Sequence, residues 1–241
     1  EITLLGQNVN AYSYKEYSKE FRISNIINHL NQYSELERIR YTTSHPVDMT
    51  EDLINCYSSS NKLMPFVHLP IQSGSNKMLQ LMNRNHTIDD YLKVYEKLKK
   101  INNEIEFSSD FIIGYPGETH EDYLETIKLM RNVKFINSYS FLYSARPGTP
   151  AYDLKKLDIN EIKNRLRNFQ KVADDVKTEY RKNLVNKTSK VLFENKLKND
   201  EKFFGRDEFF NSVVVESDND LIGKIINVKI SNVNHNTLFG E

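Results

Sequence analysis

The sequence predicts an α/β fold that is followed by a small all-β domain. Over residues 1–150, five short apolar runs that are typical of buried strands alternate with amphipathic stretches that are typical of helices. A long amphipathic stretch then covers residues 159–184, and short strand-like runs separated by polar residues fill residues 187–241. This alternation fits either a partial (β/α) barrel or a doubly wound parallel sheet, and it does not choose between them.

Each predicted element follows from a local pattern. Runs rich in Ile, Val, Phe and Tyr predict strands at residues 2–5, 38–43, 66–71, 107–113 and 139–143. Apolar residues at helical spacing predict helices at residues 24–36, 50–58, 76–82 and 87–101, and after Thr119, where Asp122 completes a capping box. Shorter strands are predicted at residues 191–193, 203–204, 213–215, 222–230 and 238–239. We therefore expect one domain at 1–186, with a connecting helix at 159–184, and a second at 187–241.

Residues 110–119, with the sequence DFIIGYPGET, form the most informative segment of the chain. An acid, an apolar strand, a glycine turn and a helix start follow one another directly, which predicts a βα unit of a parallel sheet. Ligands of such sheets bind at the carboxyl ends of the strands, where this turn lies. Asp110 can accept two hydroxyl groups of a ribose, and Arg84 can hold a carboxylate with two hydrogen bonds. A turn-capping role for Asp110 and a surface ion pair for Arg84 remain open.

The composition limits the classes of protein to consider. The 33 basic and 33 acidic residues cancel, which argues against a uniformly basic surface for nucleic acid. The single cysteine, Cys56, excludes a disulfide framework, and its amphipathic surroundings favour a small buried hydrophobe. The sequence shows neither an apolar stretch as long as a membrane span nor a signal peptide, so a cytoplasmic location is expected.

The histidines give only a weak indication of a metal site. His45, His68 and His86 lack the His-x-His and His-x-x-x-His spacings of metal ligands, which favours structural roles. A metal-dependent hydrolase on a (β/α) barrel, using His45, His68 and Asp110, remains an alternative.

Basic and aromatic residues are interleaved at the start of the predicted second domain. Cations for phosphates beside aromatic rings for bases suit RNA, and a solvated lysine face over core phenylalanines fits the composition equally well. The residues are Lys187, Lys190, Lys196, Lys198, Lys202 and Arg206, with Phe203, Phe204, Phe209 and Phe210. A non-catalytic RNA-binding module is therefore a further alternative.

Five segments, in order along the chain, resemble the radical S-adenosylmethionine methylthiotransferases. Residues 187–241 also resemble the carboxyl-terminal TRAM domain of that family, and the string GQNVNAY resembles its branch that modifies isopentenyladenosine in tRNA. The segments are residues 4–12 (LLGQNVNAY), 40–46 (RYTTSHP), 68–75 (HLPIQSGS), 110–119 (DFIIGYPGET) and 139–150 (YSFLYSARPGTP).

The resemblance implies a partial (β/α) barrel of the radical-SAM type that lacks its first strand, followed by a small TRAM barrel. It implies that S-adenosylmethionine is bound through its ribose, its methionine carboxylate, its amine and its adenine. The residues implied are Gln72 and Asp110 for the ribose, with Ser73 beside them, Arg84 for the carboxylate, Asn8 for the amine, and Gly114, Gly117 and Tyr143 for the adenine. The TRAM-like domain is implied to hold the anticodon stem-loop of a tRNA, and Lys198, Lys202 and Arg206 of the basic tract are the expected RNA contacts.

The resemblance also implies two [4Fe–4S] clusters, and Cys56 alone cannot supply the thiolate ligands of either. We therefore interpret the chain as a fragment that is inactive by itself, with the cluster ligands outside it and no metal ligand within it. The intact enzyme is expected to be a cytoplasmic monomer with no membrane contact. The family's reaction is insertion of a methylthio group at carbon 2 of N6-isopentenyladenosine beside the anticodon. Its sulfur donor is not indicated by the sequence.

Overall fold

The computed structural model of the chain describes residues 1–198 and 201–241. The chain divides into two compact units, Glu1–Ala173 and Asp174–Glu241. The division lies inside a long helix, Ile159–Lys182, whereas the sequence-based boundary at residue 186 lies just after it.

Parallel strands form the sheets of the first unit. Strand β1 (Ile2–Leu4) pairs with β4 (Ile39–Tyr41), and β6 (Glu106–Ile113) lies between β5 (Phe66–His68) and β7 (Asn137–Leu142). An isolated parallel bridge joins Ile39 of β4 to Leu63, which precedes β5. The α/β class predicted from the sequence is confirmed.

Helices follow the strands in the order expected of repeated βα units. Thr87 and Thr119 accept hydrogen bonds from the backbone N–H groups of Asp90 and Asp122, and both predicted helix starts are capping boxes. The helices are α1 (Ile23–Leu30), α2 (Glu51–Ser59), α3 (Asn76–Leu81), α4 (Ile88–Ile101), α5 (His120–Val133) and α6 (Ile159–Lys182).

One local prediction of structure was wrong, and one element was missed. Helix α1 ends at Leu30 rather than at residue 36, because the polar residues after it form hydrogen-bonded turns instead of continuing the helix. A hairpin of β2 (Ser13–Glu16) and β3 (Lys19–Arg22) was not predicted. Its residues are almost all exposed, so the sequence lacks the apolar alternation by which a strand is recognised.

The core of the first unit contains aromatic rings on the helix-facing side of β6. The Phe111 ring lies 5.5 Å from that of Phe135 and 4.7 Å from that of Phe169 on α6, centroid to centroid. Successive strand residues point to opposite faces, so Ser108, Asp110 and Ile112 lie on the other side of the sheet. This alternation places Asp110 away from the aromatic core.

The second unit contains a closed five-stranded barrel within its described residues. Its interior is filled by apolar side chains such as Val191, Phe193 and Ile230. At Gly205, an added Cβ would overlap the Leu192 carbonyl group, so a side chain there would push two strands apart. The strands are β8 (Thr188–Lys196), β9 (Lys202–Asp207), β10 (Ser212–Glu216), β11 (Ile225–Val233) and β12 (Thr237–Gly240). Their order around the barrel is β10-β12-β11-β8-β9.

Candidate functional site

Gln72, four residues beyond the end of β5, lies beside Asp110 in the second half of β6. The Gln72 N–H donates to the Asp110 carbonyl oxygen at 2.9 Å, and the Ile112 N–H donates to the Gln72 carbonyl oxygen at 2.9 Å. Gln72 has a φ of +76°, a left-handed backbone conformation that non-glycine residues seldom adopt. The Asp110 side chain is 29% exposed, so its carboxylate is accessible to a ligand. The structure thus brings together the two residues predicted to contact a ribose.

His68 adjoins this pair on the same face of the sheet. Its Nδ1 lies 2.8 Å from the Ser108 hydroxyl oxygen, and its Nε2 lies 3.7 Å from Asp110 Oδ1. The Tyr139 ring meets it edge to face at a centroid distance of 6.2 Å. These contacts limit the orientations that the Asp110 carboxylate and the imidazole can adopt.

Arg84 lies in the loop after α3 and is half-buried. Its Nε atom is buried and has no hydrogen-bond partner within residues 1–198 and 201–241. Burial lowers the pKa of Arg84, and the nearby Asp110 carboxylate opposes that shift. A desolvated guanidinium with an unused donor is suited to an anion such as a carboxylate.

A pair of histidines adjoins Arg84. The rings of His45 and His86 meet edge to face at a centroid distance of 5.2 Å, and His86 is only 7% exposed. Burial, His45 and Arg84 together lower the pKa of His86 to about 4, although Asp90 opposes them. Burial and Arg84 also lower the pKa of His45, against the effect of Asp48. His86 is therefore neutral at pH 7.

The position of His45 is fixed by an asparagine from the first βα connection. Asn10 donates from Nδ2 to the His45 carbonyl oxygen at 2.9 Å and accepts from the His45 N–H at 2.8 Å. Neighbouring Asn8, predicted to contact the ligand amine, is exposed and donates to Asp48 Oδ2 at 2.7 Å. Asn8 is thus connected to the histidine pair through Asp48. Sequence reasoning missed Asn10, although it lies within the GQNVNAY string.

The glycine turn after β6 packs against α6. Gly114 has a φ of +78°, and a Cβ added there would lie 2.7 Å from Ile162 Cγ2. Its N–H donates to Glu118 Oε2 at 3.1 Å, and Glu118 forms a buried ion pair with Arg165 at 2.7 Å. Gly117 has a φ of +87°, and a Cβ added there would lie 3.6 Å from Leu81 Cδ1, an ordinary contact distance. The positive φ of both residues and the nearby Ile162 at Gly114 explain the need for glycine. The adenine contacts of both glycines stay predictions.

Ser73 and Tyr143 have contacts within the protein. The Ser73 hydroxyl is buried, lies 3.3 Å from Thr126 Oγ1 and accepts from the Ser75 N–H at 3.2 Å. The Tyr143 ring packs edge to face on Tyr115 at a centroid distance of 4.8 Å, at the end of β7. The Ser73 hydroxyl is turned toward α5, whereas Tyr143 remains partly accessible beside the glycine turn. A ligand contact by either residue stays a prediction.

The described residues do not fit an iron–sulfur cluster. Cys56 is buried, and burial raises the pKa of its thiol to about 11, with Asp52 adding to the shift. In the part of the chain that the structure describes, no three His, Cys, Asp or Glu residues are grouped so that they could hold a metal ion. The cluster ligands implied by the family resemblance are therefore not formed by these residues.

In the second unit, Lys202, Phe204 and Arg206 share the outer face of β9. The Arg206 guanidinium lies over the Phe210 ring at 4.3 Å and over the Phe204 ring at 5.3 Å. Arg206 also pairs with Glu194 at 3.7 Å, and Lys202 pairs with Glu216 at 3.4 Å. Of the residues predicted to contact RNA, these two have acidic neighbours, whereas Lys198 is exposed.

None of the helices in residues 1–198 and 201–241 combines the length and the apolar character needed to cross a bilayer. Helix α6 has 24 residues, but charged residues occur along its whole length.

Comparison with known proteins places both units in described families. The radical SAM superfamily model matches residues 1–130, and the TRAM domain model matches residues 182–241. The predicted radical-SAM-type α/β fold with a TRAM barrel is thereby confirmed.

Several curated relatives are similar to the whole chain, and each is called tRNA-2-methylthio-N(6)-dimethylallyladenosine synthase. The protein from Pelagibacter ubique (strain HTCC1062) is 56% identical over 241 residues, which are 100% of this chain and 54% of the relative. Those from Rickettsia bellii (strain OSU 85-389) and Wolbachia pipientis subsp. Culex pipiens (strain wPip) are 47% and 46% identical, over 100% of this chain and 55% of each relative. The chain spans about half the length of the curated relatives it matches. Because the radical SAM model covers more than half of its residues, the chain belongs to the radical SAM superfamily, with a TRAM domain at its carboxyl-terminal end.

Proposed function

We propose that the chain is part of a tRNA methylthiotransferase, in which the first unit binds S-adenosylmethionine and the second binds the anticodon stem-loop of a tRNA. The reaction is insertion of a methylthio group at carbon 2 of N6-isopentenyladenosine, the substrate class named for the relatives. The observation that carries the proposal is the grouping of Arg84, in the loop after α3, with Asp110 of β6 and Gln72 after β5. It supplies an unused cationic donor beside an accessible carboxylate.

This grouping fits the polar ends of S-adenosylmethionine. The Asp110 carboxylate can accept both ribose hydroxyl groups, and Gln72 adds an amide beside it. The Arg84 guanidinium can hold the methionine carboxylate through the Nε–H that lacks a partner among the described residues. When bound, S-adenosylmethionine supplies a radical precursor and a methyl group, and the residues of this chain hold and orient it. The proposal assigns two [4Fe–4S] clusters to residues of the longer protein.

Isothermal titration of the full-length protein with S-adenosylmethionine tests the ribose contact. Asp110→Asn should weaken binding by about 10-fold or more, because it removes a charged acceptor of two hydroxyl groups. The matched control is Asp175→Asn, the same chemical change at an exposed position on α6, and it should bind like the wild type. Equal affinity of wild type and Asp110→Asn would refute the ribose assignment.

For the second unit, we propose that Lys198, Lys202 and Arg206 contact RNA phosphates. The exposed Lys198, the outward face of β9 and the arginine over two aromatic rings support this proposal. Binding of the anticodon stem-loop should then weaken steeply with salt, because each neutralised phosphate releases counterions. An affinity that does not change with salt would contradict it.

The two alternatives are not favoured. A purely RNA-binding module leaves the radical SAM match over residues 1–130 without a role. A metal-dependent hydrolase would need a group of ligands that is absent from the described residues. The cytoplasmic location and the monomeric state stay predictions.

A further inference from the structure

The buried ring of His86 carries hydrogen-bonding capacity that the described part of the protein does not use. Its Nδ1 and Nε2 atoms are both buried, and neither has a hydrogen-bond partner in residues 1–198 and 201–241. Buried polar atoms are nearly always hydrogen-bonded, so a buried imidazole with two unused nitrogens calls for an explanation. One explanation is a ligand that completes the site.

The neighbours of His86 define what such a ligand must offer. Arg84 presents a buried Nε–H that lacks a partner among the same residues, and it bears a fixed positive charge. His45 accepts the Val47 N–H at its Nδ1, at 3.3 Å, so in its neutral form it carries its proton on Nε2. Neutral His86 offers one donor and one acceptor nitrogen.

We infer that His86, supported by His45, is a specificity residue whose ring nitrogens hydrogen-bond to the α-amino-carboxylate end of the ligand held by Arg84. A carboxylate satisfies the donors of Arg84 and of an imidazole, and an ammonium group satisfies an imidazole acceptor. The Asp48 carboxylate opposes the lowering of the His45 pKa and accepts a hydrogen bond from Asn8, and its negative charge suits an ammonium group. A bare phosphate would satisfy the donors and leave the acceptor nitrogen unused.

This inference rests on the proposed binding of S-adenosylmethionine, and a pair of ligands separates the two. S-adenosylhomocysteine and 5′-methylthioadenosine share the adenosine and the thioether sulfur, and only the first has the amino acid end. Both are titrated against the full-length protein with its clusters. The variant His86→Phe keeps an aromatic ring and removes both nitrogens.

His86→Phe should lower the affinity for S-adenosylhomocysteine by about 10-fold, because hydrogen bonds to charged groups are lost. The affinity for 5′-methylthioadenosine should stay within about twofold of the wild-type value. His86→Gln keeps a donor and an acceptor and should restore part of the lost affinity. The matched control His29→Phe, at an exposed histidine on α1, should bind both ligands like the wild type. The ratio of the two affinities is read within one preparation, so a partly unfolded sample does not change it.

The inference would be overturned if His86→Phe lowered the affinity for both ligands equally, or lowered the affinity for neither. Asp110→Asn reports on the proposed function separately, since it should weaken both ligands through the ribose that they share. If Asp110→Asn weakens neither ligand, the ribose assignment fails while the His86 ratio still reports on the amino acid end. A wild-type protein that binds neither ligand overturns both proposals.

Discussion

Replacing Asp122 by asparagine should destabilise the first unit. The Asp122 carboxylate accepts from Lys77 Nζ at 2.8 Å, from the Thr119 N–H at 2.9 Å and from the Ser75 hydroxyl at 2.7 Å. It therefore connects the start of α3 to the start of α5. Gln72 lies in the loop that precedes α3, and Gly114 lies in the turn that precedes α5. Asparagine keeps the shape of the side chain and loses the charge.

The pKa of Asp122 gives the size of the effect. Burial alone would raise this pKa, but the hydrogen bonds from Lys77, Thr119 and Ser75 lower it from 3.8 to about 2. A shift of that size corresponds to roughly 2 kcal/mol of stability at pH 7. The side chain is 9% exposed, so screening by solvent removes little of this contribution.

The sign of the pH dependence follows from the lowered pKa. The stabilisation is fully present above the unfolded-state pKa of about 4 and is lost as the pH falls toward the folded-state value of about 2. Urea denaturation at pH 7, 5 and 3.5 should therefore show a gap between wild type and Asp122→Asn that narrows at the lowest pH. A gap that stays constant over this range would refute the electrostatic reasoning.

Further measurements check other parts of the structure. Gly114→Ala should lower the free energy of unfolding by about 1–3 kcal/mol, because the φ is positive and the new Cβ would contact Ile162; Ile162→Ala should recover part of the loss in denaturant titrations. Arg206→Ala should reduce the salt slope of tRNA binding by about one, whereas Arg206→Lys, which keeps the charge, should preserve the slope and weaken binding through lost stacking. Cys56 should react with a thiol reagent far more slowly in the folded protein than in urea, because its thiol is buried and its pKa is raised to about 11; equal rates would contradict this.

Much of the fold could be predicted because local patterns determine it. The capping box of Thr119 and Asp122 predicted the start of α5, and the apolar run ending at Ile113 predicted β6. The hairpin at Ser13–Arg22 was missed because nearly every residue in it is exposed, so its pairing leaves no periodic signal. Helical spacing of apolar residues also made the predicted α1 too long, because in the structure turns end the helix at Leu30.

The site could be predicted only in part, since residues far apart in the sequence form it. The family resemblance assigned Asp110 and Gln72 to one ribose, and the structure brings the two residues together through a backbone hydrogen bond. The ribose contact stays a prediction. His86 was assigned a structural role because its spacing fits no metal motif. Its orphaned nitrogens and its contact with His45 are visible only in three dimensions. The Asn10 bonds to His45 link residues that are 35 positions apart, a separation that no local pattern reports.

The left-handed backbone of Gln72 has an evolutionary consequence. A non-glycine residue with a φ of +76° costs of order 1 kcal/mol, which glycine would avoid. Selection for stability alone would therefore drift this position toward glycine or asparagine. The glutamine of this chain instead keeps an amide side chain beside Asp110 that glycine would lack.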